Sequence, residues 1–407
     1  MNPSQMIEVK GADVLIVAIV VWFLGTYLTN RIHFLRQYNI PAAVTGGLIC
    51  SLLVALVYVL FDRQISFDMR IRDVLLLVFF STIGLSAKLR MLAEGGKALA
   101  ILLAVAAVFL VFQDIIGVLL AILMGAHPAY GLFGGSISLA GGHGTAIAWG
   151  NEAEQAGLLK AKEIGIAFAT FGLIAGGIIG GPIGEWLNRR HHLAAPAAGK
   201  SAGREGADEM LPVAAPLAGV LGTLLLLAIC VEAGDLVNRL LFSKGVMLPG
   251  FLTAMMVGII LTNGADLFRV RLSDAAIDRG AEISLQLFLS MSLMSMQLWT
   301  LVQAIGPIMI VLSAQVLLMT LFTVWVVFRV MGRDYDASVI AAGFAGLGLG
   351  ATPVGIANMN AITAKYGASP KAFLVIPLVG AFFIDLVNAL VIKFFAGLPI
   401  MSQTPLP

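Results

Sequence analysis

Apolar residues gather along the chain into runs bounded by charges or by glycine and proline breaks, and the length of the runs sets the reading. A bilayer is crossed by about 20 consecutive apolar residues in helical form. Such runs fall at residues 13–28, 41–60, 74–89, 98–124 and 164–187, and again at 213–231, 246–261, 281–299, 305–330 and 372–396. The pattern predicts ten helical spans, five in each half of the chain.

Between the fourth and fifth run of each half the pattern breaks. Residues 134–150 read GGSISLAGGHGTAIAWG, and residues 342–358 read AGFAGLGLGATPVGIAN. So much glycine argues against a stable lipid-exposed helix, and irregular backbone at membrane depth survives only when protein or a water-filled cavity surrounds it. Both stretches therefore read as re-entrant hairpins, at about 131–150 and 338–358. The halves also align. Pro41 matches Pro249 (249 minus 41 is 208) and Thr145 matches Thr352 (352 minus 145 is 207). Five spans per half is an odd number, so the second unit lies upside down relative to the first, as in many secondary transporters. The expected fold is an all-α polytopic membrane protein of two inverted repeats, 1–190 and 212–407, joined by a flexible linker at 191–211 that is rich in Ala, Gly, Ser and Pro.

Composition agrees. Of 407 residues 59% are hydrophobic and 12% charged, with a mean hydropathy of +0.97, where soluble domains carry roughly 25% charge. Lys plus Arg number 25 against 23 Asp plus Glu, which gives no basic stripe, so nucleic acid is not an expected partner. Cys50 and Cys230 both fall in apolar runs, which excludes a disulfide framework. His191 and His192 have no ligand partner at metal-binding spacing and read as solvated loop residues. With the N-terminus outside, 16 of the 25 Lys and Arg, among them Arg31, Arg36, Arg189, Arg190 and Arg329, lie on the cytoplasmic side. Both termini are then expected outside. No P-loop and no intramembrane protease motif is present, so the chain reads as a gradient-driven transporter and not an enzyme.

Charges at mid-membrane usually mark pathways or sites. Asp114 and Asp385 are the acids nearest the centre of a predicted span. Asp385 lies three residues before Asn388, on one helix face, and this pair suits sodium or an ammonium group. Asp114 reads equally well as a site residue or as a neutral partner of a neighbouring helix. At the tips, Gly141, Gly142 and Gly144 leave backbone groups bare, a helix start there offers positive potential to an anion, and unwound carbonyls suit a cation. Ser136, Ser138, Thr145 and Thr352 add hydroxyls. His143 could bind substrate, relay a proton or fix the loop. The glycines at 176, 177, 180 and 181 read as helix-packing positions.

FFSTIGL from Phe79, GGHGT from Gly141, GLGATP from Gly348, IANMNAIT from Ile356 and VGAFFIDLVNALVIK from Val379 resemble the bacterial sodium/glutamate symporter family, over residues 38–395. The resemblance implies a sodium-coupled glutamate carrier in the bacterial inner membrane, a homodimer related to the sodium/citrate carriers and working by an elevator-type movement, with sodium as coupling ion and no other cofactor. Glutamate would be held by Ser138, Gly141, Gly142, His143, Gly144, Thr145, Gly350, Ala351, Thr352, Pro353, Asn358 and Asp385. Sodium would be held by Ser136, Gly348, Thr352, Asp385 and Asn388. Two rivals are a sodium-coupled citrate or dicarboxylate carrier, disfavoured by the lack of an intramembrane Arg, and a cation channel or exchanger with no organic substrate.

Overall fold

A computed structural model describes residues 6–37, 40–61, 63–90, 96–193, 217–243, 248–268, 270, 272–296 and 304–403. The linker expected at 191–211 lies outside the described residues from 194 onward. The protein is predominantly helical, and seven helices are long and apolar enough to cross a membrane: Ala12–Arg31, Ala42–Phe61, Gly96–Leu123, Ala161–His191, Leu217–Phe242, Gly250–Leu267 and Ile305–Val330. The other three expected spans coincide with Arg70–Ser86, Asp274–Met294 and the run from Pro370 to Ala396, the first two starting four to seven residues earlier than the apolar pattern suggested. Their first turns carry Arg70, Asp73 and Asp274, charges that an apolar-run reading trims away.

The chain divides into two compact units, and the division does not follow the sequence halves. One unit comprises residues 1–86, 143–167 and 221–308; the other comprises 87–142, 168–220 and 309–407. Each unit draws on both halves.

In the first unit, Ala12–Arg31 crosses Ala42–Phe61 at two glycines. A Cβ on Gly25 would run into the carbonyl oxygen of Ala42, and one on Gly46 into that of Val21. Small residues at a crossing let backbones approach where lipid supplies no hydrophobic drive for association. Ser51 Oγ donates to Leu293 O at 2.7 Å, tying Ala42–Phe61 to Asp274–Met294. A short parallel strand pair joins Met6–Val9 to Gln64–Phe67, with Met6 opposite Gln64, an element that the hydropathy pattern does not announce.

In the second unit, Gly96–Leu123 is followed by the short helix Ala129–Phe133, then by turns over 134–141. In the second glycine-rich stretch the irregularity is confined to Gly350 and Ala351: Tyr335–Leu349 before them is a regular helix, started by Asp334, whose Oδ1 accepts from Ala337 N at 2.7 Å. All of its residues except Asp336 are buried. Its glycines are tolerated because neighbours fill the space that side chains would occupy; at Gly343 a Cβ would lie 2.8 Å from Met359 Sδ. Only Gly350 and Ala351 separate it from Thr352–Tyr366, which packs against it. Beyond lie Pro370–Leu378, a π-helical turn at Val379–Phe383, and Ile384–Ala396.

Candidate functional site

The two glycine-rich tips, about 208 residues apart in sequence, meet inside the second unit. Gly142 has φ +68°, a left-handed conformation open to glycine at little cost, and a Cβ built on it would lie 3.6 Å from Gly350 O. On the far side of the second tip, Gly380 of the π-helical turn packs so closely on Thr352 that a Cβ would collide with the Thr352 hydroxyl. Such π turns recur at functional sites. Asp385 follows one turn later. Its side chain is half-buried, and among the described residues nothing hydrogen-bonds or ion-pairs with it. Ala351, Thr352 and Pro353 remain partly or fully exposed, and Thr352 opens a helix of 15 residues whose first turn has no side-chain cap.

A buried polar belt lies against the first tip. The Asp114 carboxylate accepts from Ser136 N at 2.7 Å and from Ser136 Oγ at 2.9 Å. Ser136 O in turn accepts from Asn388 Nδ2 at 3.0 Å and from Gly141 N at 2.9 Å. Gln113 Nε2 donates to Gly348 O at 2.9 Å, so a side chain from Gly96–Leu123 holds the second tip. Gln315 Nε2 donates to Gln113 O at 2.8 Å and to Gly134 O at 3.0 Å. Of the expected sodium ligands, Asn388 thus bonds Ser136 directly and Gly348 is held by Gln113, while Gln315 ties Gln113 to Gly134; neither glutamine was an expected site residue. A signal existed: Gln113 and Gln315 are lone amides inside apolar spans, and polar side chains there are costly unless partnered. Ser138 Oγ is buried and makes no hydrogen bond among the described residues.

Asn358 is placed differently from the sequence expectation. Its Nδ2 donates to Gly176 O at 3.0 Å and to Ala342 O at 3.3 Å, so both amide protons are committed to backbone carbonyls. What remains is an acceptor oxygen, which suits a cation and repels a carboxylate. The packing reading of Gly176 and Gly180 fits this arrangement. A Cβ on Gly180 would collide with the Asn358 amide, and one on Gly176 would touch Ala345 O at 3.4 Å, whereas Gly181 faces open space.

His143, Gly144 and Thr145 continue the helix that opens at Gly142, but they belong to the first unit. All three are buried there, and a Cβ on Gly144 would lie 3.1 Å from Phe79 Cε1 and 3.5 Å from Phe288 Cζ. The glycine at 144 is thereby a packing position between aromatic rings.

The chain resembles known proteins over nearly its whole length. The family model described as sodium/glutamate symporter matches residues 7–368. The sodium/glutamate symporter of Escherichia coli (strain K12) is 42% identical over 408 residues, covering 98% of this chain and all of that protein. That of Haemophilus influenzae is 39% identical over 386 residues, covering 94% and 96%. Among solved structures, a sodium proton antiporter from Methanocaldococcus jannaschii superposes with a TM-score of 0.38 at 14% identity, covering 96% of this chain and 99% of that one.

Proposed function

The chain belongs to the sodium/glutamate symporter family, and from that premise we propose that glutamate and its coupling sodium bind where the two glycine-rich tips meet. Sodium-coupled glutamate symport is the activity of this multi-pass membrane protein. The siting rests on one observation, the close approach of Gly142 to Gly350 O, from which a Cβ at Gly142 would lie 3.6 Å, at the start of the uncapped helix Thr352–Tyr366.

Each part has a chemical task. The N-terminus of Thr352–Tyr366 carries roughly half a positive charge, suited to a substrate carboxylate; Val354 N and Gly355 N already donate to Ala351 O, so the Thr352 N–H and hydroxyl are the donors of that turn, with the backbone of Gly142 and Gly350 completing the cradle. Pro353 supplies no donor, but its fixed φ pre-shapes the first turn. Asp385 pairs with the substrate ammonium or with sodium, and the Gly348 end of the buried helix presents carbonyl dipoles that favour a cation. A citrate-type anion has no ammonium and leaves Asp385 without that partner. The carrier is a homodimer in the bacterial inner membrane with both termini outside, and elevator-type alternation exposes the tips to each side in turn; the family resemblance and the Lys/Arg bias support these finer features.

The test is ligand protection at the tip. In a protein with Cys50 and Cys230 replaced by Ser, a single cysteine introduced by Ala351→Cys should react with a small thiol reagent. Sodium and glutamate together should slow that reaction, and potassium in place of sodium should restore it. Labelling indifferent to both solutes would move the site away from the tips.

A further inference from the structure

Asp114 is a buried acid for which glutamate binding at the tips has no use. It is wholly buried in Gly96–Leu123, and its one hydrogen-bond partner among the described residues is Ser136, whose N–H meets one carboxyl oxygen and whose hydroxyl meets the other. Among the described residues no Lys, Arg or His forms an ion pair with it. Asn388, 1% exposed, borders the same serine: its Nδ2 donates one proton to Ser136 O, and its Oδ1 is buried with no donor among the described residues. A carboxylate without a counter-charge and an amide oxygen without a donor therefore flank one residue inside a membrane-spanning bundle. Buried charge and buried acceptors both demand compensation, and a small oxygen-seeking cation supplies it to the two at once.

The amide orientations follow from the acceptors around them. Gln315 Nε2 faces two carbonyl oxygens and Gln113 Nε2 faces one, so each must turn its nitrogen that way; the Oε1 atoms of both are then buried without a donor. Among the described residues the belt, all of it in the second unit, leaves three buried amide oxygens without a donor, those of Gln113, Gln315 and Asn388. That is the donor set of an alkali-ion site, in which carboxylate, amide and carbonyl oxygens replace the hydration shell. The frame is also pre-organised, because the two glutamines brace Gly134 and Gly348 against Gly96–Leu123 without using the carboxylate.

We propose that Asp114 and Asn388 Oδ1, on the frame set by Ser136 and Gln113, bind a sodium ion separate from any held at the tips by Asp385. The inference rests on the sodium-symport reading and deepens it by assigning a second coupling ion. Ser136 and Asn388 belong to this site, and Asp385 keeps the substrate end. Because the site braces Ser136 and Gly348 against one helix, its ion would order both tips before glutamate arrives.

The experiment uses the full-length protein in proteoliposomes, with radiolabelled sodium and glutamate followed together. In Asp114→Asn the ratio of sodium to glutamate transported should fall by one, and half-saturating sodium should rise at least about tenfold, while glutamate half-saturation at saturating sodium stays within about twofold. Asp385→Asn should instead impair glutamate itself, so the failure of one reading leaves the other standing. If Asp114→Asn no longer transports, sodium alone is added to the detergent-purified protein: it should raise the unfolding temperature of the wild type and not that of the variant. Should Asp114→Asn not fold, Asp114→Glu keeps the charge displaced by one methylene and should show the same rise in half-saturating sodium. Unchanged flux ratio and sodium dependence, or an effect confined to the pH profile of uptake, would overturn the proposal and leave the belt a structural brace or a proton site.

Discussion

Replacing Asp385 by Asn removes one charge at nearly constant shape, and the structure separates its two possible consequences. The side chain is half-buried at the start of Ile384–Ala396, directly after the π-helical turn, and no described residue pairs with it. The ligand-free protein therefore loses no internal contact, and relieving a buried carboxylate of its desolvation should leave the thermal unfolding midpoint unchanged or raise it. The ligand-bound protein loses a charge-assisted contact to ammonium or sodium, worth about 1.5 to 3 kcal/mol, which converts to roughly a 10- to 150-fold loss of affinity. Sodium-gradient uptake of labelled glutamate, run across a sodium titration beside a thermal melt of the same preparation, reads both. The expected result is uptake reduced at least tenfold or weakened in its sodium dependence, with the protein present in the membrane and no less stable. Normal transport at low sodium would refute the reasoning and make Asp385 a packing residue.

Three further outcomes test other parts of the argument. Gly135→Ala places a Cβ 2.5 Å from Asp114 Oδ1 and 3.1 Å from Gln113 O and Gly131 O; overpacking of this kind costs about 1–3 kcal/mol, and it should lower the melting midpoint and raise half-saturating sodium together, whereas a silent substitution would show that the carboxylate does not sit there. Gln315→Leu strips donors from two carbonyls in separate segments and should destabilise by about 2–4 kcal/mol, while Ser138→Ala, which removes a hydroxyl with no partner among the described residues, should not lower the midpoint; equal melts for the two variants would contradict the hydrogen-bond assignment. A cytoplasm-active reporter fused near Gly199 should be active and one fused after Pro399 inactive, and the opposite pair of signals would reverse the orientation read from the Lys/Arg bias.

The candidate site residues were legible in the sequence because intramembrane polarity is expensive. Asp385, Asn388 and the glycine tips stand out against an apolar background, and each lies in the second unit, where the tips meet. Asn358 stood out for the same reason, and its amide nitrogen is held by backbone carbonyls. A residue type announces that it will hydrogen-bond, but only packing reveals that Gly176 O and Ala342 O claim both of its amide protons. Gln113 and Gln315 were passed over because an amide in an apolar run carries no charge and matches no spacing rule; their reach across 235, 202 and 181 residues is a tertiary fact.

By itself the sequence determined the helical spans, since apolar length is dictated by bilayer thickness and is a local property. It also marked two glycine-rich stretches, at 134–150 and 342–358, since composition can be read without coordinates. The second tip's regular helix was not readable, because glycine content forecasts a broken backbone and burial against Met359, Phe109 and Met319 overrides it. Nor was the parallel strand pair, whose partners stand 58 residues apart (64 minus 6) and gain their hydrogen bonds only when the first two spans pack. Above all, the tertiary structure decided that the units interleave, each drawing on both halves of the chain. Which helices share a core depends on complementary surfaces, such as the glycine crossing of Gly25 and Gly46, and these are formed only when distant segments meet.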